Sequence, residues 1–273
     1  MIIFIIPAYN EEKNILSLIK LTANKMEELN LPYRLIVVND GSTDGTLSLL
    51  ENYQKLYPIT ILNHETNKNV GQVFRTGFQY TLSQIKAGDI IVTKEADNTS
   101  DLGILDKMLH KIDTGYDVVL ASCYANGGKV LNTSWDRIIL SYGANLLVKT
   151  LFRIRNVHTY SSFYRAFKAE MLKAAYSVYG PNLIEEKGFA CMIEMIIKLN
   201  RLELKITEVP MELVCSARIG KSKMKRIETI MGYLRVIRKE LFKSSNYKES
   251  VRQKFLEYQY TQPPKNNYVK TIP

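Results

Sequence analysis

The chain has 273 residues, and 46% of them are hydrophobic, which fits one large globular domain or two small ones. Its formal net charge is +10, and residues 218–243 hold nine Lys or Arg against two acids, which indicates an anionic partner or a solvated basic face. Cys123, Cys191 and Cys215 are an odd and widely spaced set, so neither a disulfide framework nor a zinc site is expected, and a reducing compartment fits.

The sequence also limits how the chain can use a membrane or a nucleic acid. No apolar run approaches the roughly 20 residues of a spanning helix. The first residues lack a basic region and reach Pro7 too early for a signal peptide. We therefore expect a soluble or peripheral protein. The basic stretch has no aromatic platform or recognised module, so nucleic-acid binding is not expected.

Short apolar runs alternate with helical segments over the first 120 residues or so. Buried parallel strands are predicted at residues 1–6, 34–38, 59–63, 89–93 and 116–121. The intervening segments are predicted to be helices, the first of them capped by Asn10. This alternation predicts right-handed βαβ units and a parallel sheet with helices on both faces.

An acidic cluster follows the fourth predicted strand, in the stretch GDIIVTKEADNTSD at residues 88–101. Ligands of open α/β sheets bind at the carboxyl ends of the strands. Glu95 and Asp97, two residues apart on a chain expected to be extended there, would point the same way and could share a divalent cation. Such a cation usually accompanies substrate phosphates. An acidic surface loop without a ligand is an equal alternative from this stretch alone.

The second half has a different pattern. Residues 125–134 are predicted to be a loop, and 135–152, 170–176 and 188–199 to be helices. Short strands are predicted at residues 160–167, 204–209 and 213–215. Apolar residues at spacings of three and four from Met224 to Leu241 predict an amphipathic helix with a basic opposite face. The polar residues 244–273 are expected to form a loose tail.

Several motifs occur together in one order along the chain. They are PAYNEE (7–12), VVNDGSTDGT (37–46), GQVFRTGF (71–78), EAD (95–97), RIILSYGAN (137–145), SSFYRAF (161–167) and RIGKSK (218–223). The set resembles the family 2 glycosyltransferases with the GT-A fold. Its later motifs resemble the branch of dolichol-phosphate mannose synthases and polyprenyl-phosphate glycosyltransferases.

The resemblance covers roughly residues 1–243 and implies an α/β, Rossmann-like fold. Its mixed, mainly parallel sheet would be flanked by helices, with an amphipathic helix near the C-terminus. Residues 1–243 would form one glycosyltransferase domain. Residues 1–124 would be its nucleotide-sugar half and residues 125–243 its acceptor half.

The resemblance also implies a donor site and a metal site. The residues implied to bind the nucleotide-sugar are Pro7, Ala8, Tyr9, Glu11, Asn39, Asp40, Glu95 and Lys223. Asp97 would be the main ligand of Mg²⁺ or Mn²⁺, with Glu95 and Thr99 as the other implied ligands. The metal would bridge the diphosphate and offset charge on the leaving group.

In that branch the acceptor is a polyprenyl phosphate, already an anion, so a strong general base is not required. The resemblance places Arg137 and Ser141 at the acceptor phosphate, and Arg218 in a loop that closes over the diphosphates. Arginine suits such contacts because its planar fork binds phosphate bidentately. The helices at residues 135–153 and 224–243 could lie on a membrane surface or pack on the catalytic domain.

Four positions depart from the family pattern: Asn39, Glu95, Thr99 and Cys123, the last of which stands where an arginine is usual. We expect an inverting transfer of a hexose from a GDP- or UDP-sugar to a polyprenyl phosphate at the cytoplasmic membrane face. A membrane-protein partner stays open. The departures keep two alternatives: a transferase with a glycan or another lipid as acceptor, and a nucleotide-sugar-binding protein without turnover.

Overall fold

The computed structural model describes residues 1–220 and 222–261, with the side chain of Arg137 outside that description. The strands are β1 (Ile2–Ala8), β2 (Tyr33–Asp40), β3 (Ile59–His64), β4 (Ile90–Thr93), β5 (Val118–Ser122), β6 (Lys129–Leu131), β7 (Arg165–Lys168), β8 (Ile206–Pro210) and β9 (Glu212–Val214). The α-helices are α1 (Ile15–Glu28), α2 (Thr46–Tyr53), α3 (Val70–Leu82), α4 (Leu105–Asp113), α5 (Trp135–Phe152), α6 (Ala169–Tyr179), α7 (Cys191–Arg201), α8 (Arg226–Leu241) and α9 (Ser245–Thr261).

Seven strands form one sheet in the order β3-β2-β1-β4-β7-β5-β8. All neighbours in it pair in parallel except β7, which runs antiparallel to both β4 and β5. Strands β6 and β9 form a second, two-stranded parallel sheet. The expected mixed, mainly parallel sheet flanked by helices is therefore confirmed.

The large sheet is buried on both faces, which explains why its first strand reads as a continuous apolar run. On one face, α3 packs its Phe74 and Phe78 in a core shared with α6, α7 and α8. On the other face, α1 and α4 bury residues such as Leu18 and Met108. Gly77 lets α3 approach the sheet, because a Cβ there would lie 2.6 Å from a methyl carbon of Ile5.

The predicted helix cap at Asn10 is wrong. Helix α1 begins five residues later, at Ile15, and Asn10 has a positive φ of 53°. Its side chain instead accepts a hydrogen bond from the backbone N–H of Thr43, at 2.8 Å. Asn10 therefore ties the loop after β1 to the loop after β2.

The prediction of a loose tail is wrong for residues 245–261, which form α9; the rest of that segment lies outside the described residues. Val251 and Phe255 are buried in the same core as α6. Together with Tyr247 and Tyr258 they recur at spacings of four and three, a helical period that polar neighbours obscure.

Two segments of the second half also differ from expectation. Residues 129–131, predicted as loop, form β6 because β9 offers them a partner. The strand predicted at residues 160–167 begins only at Arg165. Before it, the buried guanidinium of Arg165 donates to the carbonyl oxygens of Tyr160 and Ser162, which holds that segment in an irregular path.

Helix α8, which was expected either to lie on a membrane surface or to pack on the catalytic domain, packs on the domain but buries only part of its apolar stripe, at Ile237. Val236 and Gly232 face the core, whereas Ile227, Met231 and Leu234 are exposed. Helix α5, next to it, buries only Asn145 and Val148 among its described side chains and exposes most of its large apolar ones. No helix within the described ranges is both long and apolar enough to cross a bilayer.

Candidate active site

Residues at the carboxyl ends of β1, β2, β4 and β5 line one cleft of about 550 Å³. The predicted site residues that line it are Pro7, Ala8, Tyr9, Glu11, Asp40, Glu95, Asp97, Thr99, Ser141, Arg218 and Lys223. They follow β1, β2 and β4 or belong to α5 and the segment before α8. Eleven of the thirteen predicted site residues thus lie along one cleft, and their individual roles stay predictions.

Asp97 lies in a turn after β4, not on an extended chain as expected. Its Oδ1 accepts hydrogen bonds from the hydroxyl of Thr99 at 2.7 Å and from the backbone N–H of Thr99 at 3.1 Å. Burial alone would raise the pKa of Asp97, but the charge of Arg218 and these hydrogen bonds lower it below its ordinary value. Asp97 is therefore a buried, ionised carboxylate facing the cleft.

Glu95 is held by the same loop. Its Oε2 accepts a hydrogen bond from the hydroxyl of Ser100 at 3.0 Å. Burial raises the pKa of Glu95, the nearby ammonium of Lys94 opposes that rise, and the charge of Asp97 adds to it. The two carboxylates thus disfavour each other's charge, which a cation between them would relieve.

Lys94 is itself buried beneath the loop and was missed in the sequence. Its Nζ donates to the carbonyl oxygen of Ser100 at 2.7 Å and lies 5.1 Å from the ring centroid of Tyr164. Burial lowers the pKa of Lys94, and the neighbouring carboxylates oppose that shift. This contact fixes the far end of the loop that carries Glu95 and Asp97.

The segment between β9 and α8 brings cations to these acids. Arg218 donates through Nε to Oδ2 of Asp97 at 2.8 Å, and its Nη2 bonds the same oxygen. Lys223 donates to the carbonyl oxygen of Asn10 at 2.8 Å and pairs with Glu11. Among described residues, the cations that line the cleft all come from residues 218–226.

Asp40 is fixed by residues that the sequence analysis missed. Its Oδ1 bonds His64 Nδ1 at 2.7 Å and accepts from the backbone N–H of Lys68 at 2.9 Å. His64 Nε2 lies 3.0 Å from the hydroxyl of Thr76. The sequence alone does not reveal this contact, because Asp40 and His64 become neighbours only through the pairing of β2 with β3.

Three further positions singled out in the sequence are Asn39, Arg137 and Cys123, and none of them contributes a described charge to the cleft. Asn39 is buried, donates to Asn63 at 2.6 Å and is not among the residues lining the cleft. Arg137 is the third residue of α5, and its side chain lies outside the described residues. Cys123 lines the cleft, and burial raises the pKa of its thiol to about 11, so it stays a neutral thiol near pH 7.

The far side of the cleft is apolar and aromatic. Tyr124 meets Tyr142 of α5 edge to face, with ring centroids 5.7 Å apart. Other residues of this side, none of them assigned from the sequence, are Val130, Ile138, Leu140, Ala144, Phe189, Ile230 and Tyr233. The cleft therefore runs from the acids at the sheet to the apolar helices α5 and α8.

A second cluster of acids lies outside the cleft. Glu185, Glu194 and Glu240 bring carboxylate oxygens within 4.8 Å of one another, the group of described residues that could by spacing share a metal ion. The ammonium of Lys198 already lies among them, 2.9 Å from Glu185 and 2.7 Å from Glu194. Arg201 and Lys239 supply two more positive charges, so this cluster is an internal ion network joining α7 to α8.

The family model for glycosyl transferase family 2 matches residues 3–175, more than half of the chain. The chain therefore belongs to that family, as the sequence motifs predicted. The matched region contains β1 to β5, β7 and the EAD turn, and hence the acids of the cleft, whereas the cations at residues 218–226 lie beyond it.

Among characterised relatives, the chain is 30% identical over 234 residues to the dolichol-phosphate mannosyltransferase of Pyrococcus furiosus, covering 85% of this chain but 61% of that protein. It thus spans less than two thirds of that relative. It is 28% identical to the polyprenol monophosphomannose synthase of Mycolicibacterium smegmatis, over 81% of this chain and 79% of that one. The resemblance to the polyprenyl-phosphate branch thus extends to its characterised members.

A solved structure supports the fold. Glucosyl-3-phosphoglycerate synthase from Mycobacterium tuberculosis, in complex with Mn²⁺, UDP and phosphoglyceric acid, superposes with a TM-score of 0.61 at 18% identity, over 90% of this chain and 80% of that one. At this identity the similarity concerns the fold alone. It confirms the expected GT-A architecture.

Proposed function

We propose that the chain is an inverting glycosyltransferase that moves a hexose from a GDP- or UDP-sugar to a polyprenyl phosphate at the cytoplasmic face of a membrane. One observation carries the proposal. A single cleft joins the carboxylates of Asp97 and Glu95, the cation of Arg218 and the apolar sides of α5 and α8. A nucleotide-sugar needs the charged surface and a lipid phosphate needs the apolar surface, and the transfer needs the two side by side.

The acids at the sheet fit a divalent cation. Asp97 is ionised and buried, and burial together with the charge of Asp97 raises the pKa of Glu95, so a cation between the two carboxylates would relieve their repulsion. Mg²⁺ and Mn²⁺ prefer such oxygen ligands. When bound there, the metal would supply Lewis-acid neutralisation of the leaving diphosphate. The hydroxyl of Thr99 is committed to Asp97, so Thr99 orients that carboxylate.

The reaction needs little acid–base chemistry from the protein. An oxygen of the acceptor phosphate attacks the anomeric carbon, and the bond from that carbon to the diphosphate breaks on the opposite face, which inverts the configuration. Arg218 would hold phosphate oxygens through its planar fork once Asp97 has another partner. Ser141, which lines the cleft, and Arg137 are proposed to hold the acceptor phosphate.

The exposed faces of α5 and α8 support action at a membrane surface. Trp135 and Ile227 are each 79% exposed, and Ile139, Leu146, Met231 and Leu234 add to the same two adjacent helices. Contiguous exposed apolar surface marks an interaction site, and the basic residues of α8 fit anionic headgroups. Side chains of both helices also line the cleft, so an acceptor held in lipid at this surface would lie close to it.

Cys123 is compatible with two other functions: transfer to a glycan or another lipid, and binding of a nucleotide-sugar without turnover. As a neutral thiol it offers the acceptor no positive charge, which favours a glycan or other lipid acceptor over a phosphate. A protein that binds nucleotide-sugar without turnover would also tolerate it. Both alternatives predict that prenyl phosphate leaves the rate of donor cleavage unchanged.

The test is release of free nucleoside diphosphate from a panel of GDP- and UDP-sugars. Each donor is assayed with and without Mn²⁺ or Mg²⁺, and with and without a short polyprenyl phosphate. The proposal predicts release that requires both the metal and the prenyl phosphate. Release indifferent to prenyl phosphate would favour another acceptor. A donor that raises the melting temperature without any release would favour the non-catalytic alternative.

A further inference from the structure

The side-chain amide of Asn14 joins the loop after β1 to the segment between β9 and α8. Its Oδ1 accepts a hydrogen bond from the backbone N–H of Ile219 at 2.9 Å, and its Nδ2 donates to the carbonyl oxygen of Ile219 at 3.1 Å. The same Nδ2 donates to Oε2 of Glu11 at 2.7 Å. A turned amide would set its oxygen against two acceptors, so the contacts themselves fix its orientation. We call the two bonds to Ile219 the Asn14 latch.

Asn14 makes these contacts at a position where the side chain of asparagine usually bonds its own helix. It is the N-cap of α1, yet its side chain forms no cap hydrogen bond there. The residue is only 2% exposed, and its amide is committed to a residue 205 positions later. The backbone carbonyl oxygen of Asn14 also accepts from Nδ2 of Asn98 at 3.1 Å, in the turn that carries Asp97. Asn14 therefore contacts both the acid turn and the segment that brings Arg218 to it.

The neighbouring contact, between Arg218 and Asp97, is of a different kind because it is an ion pair. A cation or a phosphate that enters the cleft competes for these charges, but it acts much less on a neutral amide pair. The side chain of Ile219 is 58% exposed, so its burial does not hold the segment either. The Asn14 latch is thus a contact that competing charges leave in place.

We propose that Asn14 is a positioning residue whose latch keeps Arg218 at the cleft while the guanidinium exchanges Asp97 for a phosphate oxygen. The guanidinium can turn about its own side chain because the backbone next to it stays fixed at Ile219. Asn14 acts on the reaction only through Arg218. The exchange of partners rests on the proposed function, whereas the latch itself can be measured without any substrate.

Hydrogen exchange of the backbone N–H of Ile219, followed by NMR in the full chain, measures the latch directly. Asn14→Leu keeps the approximate size of the side chain but removes both bonds, and we expect the exchange to become at least about tenfold faster. Asn14→Asp, which turns the contacts of Nδ2 into repulsions, should act in the same direction. Arg218→Gln should leave this N–H protected, because it breaks only the ion pair.

Ser216→Ala is the matched control, because it removes a different hydrogen bond from the same segment. Nδ2 of Asn132 donates to the hydroxyl of Ser216 at 2.8 Å, in an exposed place. This bond is close to Ile219 in the chain but does not involve the latch. Its loss should therefore leave the exchange of the Ile219 N–H unchanged.

A double-variant cycle separates a positioning role from a structural one. With a donor and acceptor that the protein turns over, Asn14→Leu should lower kcat by about tenfold or more, because Arg218 is then poorly placed. The loss should disappear in an Arg218→Gln background, since the two residues act as one unit. A residue that merely stabilised the fold would lower activity in both backgrounds alike.

Unchanged exchange of the Ile219 N–H in both Asn14 variants would overturn the latch, whatever the turnover. An equal loss of kcat in the two backgrounds would overturn the action through Arg218. Faster exchange in the Asn14 variants of a protein that turns over no donor would support the latch and contradict the proposed function. Should Asn14→Leu not fold, Asn14→Asp decides, because it preserves the size and polarity of the side chain.

Discussion

The guanidinium of Arg218 lies against the carboxylate of Asp97, 121 residues earlier in the chain, with Nε 2.8 Å from Oδ2. The contact joins the segment before α8 to the turn after β4. It also places a cation against a carboxylate that would hold a metal ion. In this conformation, Arg218 and a divalent cation therefore compete for Asp97.

Replacing Arg218 with glutamine should have two separate effects. Turnover should fall by about 100-fold or more, because a positioned charge on the departing diphosphate is lost. Binding of Mn²⁺ without nucleotide should tighten, because Asp97 loses its competing partner. Steady-state kinetics measure the first effect, and electron paramagnetic resonance of free Mn²⁺ measures the second.

The control for that variant is Arg252→Gln, which breaks an exposed ion pair with Glu203 away from the cleft. It should change neither quantity. Weaker Mn²⁺ binding in Arg218→Gln would contradict the competition.

Glu95→Asp tests whether the departures from the family pattern are adaptations. Glu95 reaches the hydroxyl of Ser100 at 3.0 Å, and aspartate is one methylene shorter. The carboxylate should lose this support, and turnover should fall by about tenfold or more. A gain in turnover would instead favour a chain that has lost activity.

Cys123→Arg should also lower turnover, and it should lower the melting temperature as well. Cys123 is buried, with only 7% of its surface exposed, so the much larger side chain of arginine would overpack its surroundings. Restored turnover on prenyl phosphate in this variant would contradict the account of Cys123 as an adapted residue.

The surface of α5 and α8 should bind vesicles. The double variant Ile227→Ser with Leu234→Ser removes two exposed apolar side chains that do not line the cleft. Sedimentation with vesicles rich in anionic phospholipid should show binding weakened by about tenfold or more, since each side chain would otherwise bury apolar area in lipid.

Leu56→Ser is the matched control, because Leu56 is 74% exposed but lies between α2 and β3. It should bind vesicles like the unaltered protein. If both variants and the unaltered chain sedimented alike, α5 and α8 would not be the membrane surface.

The ion network between α7 and α8 predicts a pH dependence of stability. Burial alone would raise the pKa of Glu185, but hydrogen bonds and charge from Lys239 and Lys198 lower it to about 2. An unfolded glutamate has a pKa of about 4.3, so the unfolded chain binds more protons below that pH. This contribution is therefore complete above about pH 5 and is lost as the pH falls toward 2.

As the pH is lowered from neutrality, the melting temperature of Glu185→Gln should accordingly fall less than that of the unaltered protein. The effect should be modest, because Glu185 is partly exposed and solvent screens the pair. Glu203→Gln, in an exposed pair, serves as the control. Parallel curves of melting temperature against pH for all three proteins would remove the proposed role of Glu185.

The sequence predicted the features that depend on local pattern. Buried strands such as β1 and β2 read as apolar runs, and polar residues at their ends marked the cleft because parallel strands end at one edge. Asp97, Asp40 and Arg218 were all found in this way or through the family motifs. Their positions along the chain carry the signal directly.

The sequence did not predict features that depend on pairing between distant segments. The partnership of His64 with Asp40 needs the register of two strands, and the role of Lys94 needs the path of the loop it supports. The apolar stripe of α8 was recognised, but periodicity cannot tell a stripe that faces the core from one that faces outward. In α9, the four core-facing residues are surrounded by so many polar ones that the apolar periodicity of the helix was not recognised.

We propose above all that the chain transfers a hexose to a lipid phosphate in a cleft organised by Asp97. The most direct measurement follows a labelled hexose from its nucleotide donor into an organic-extractable product with a short polyprenyl phosphate and Mn²⁺, for the unaltered protein and for Asp97→Asn. The account predicts a labelled glycolipid with the first and at least about 100-fold less with the second, because the variant loses the charge that a metal requires. Equal product from both proteins, or donor cleavage without any labelled lipid, would contradict it.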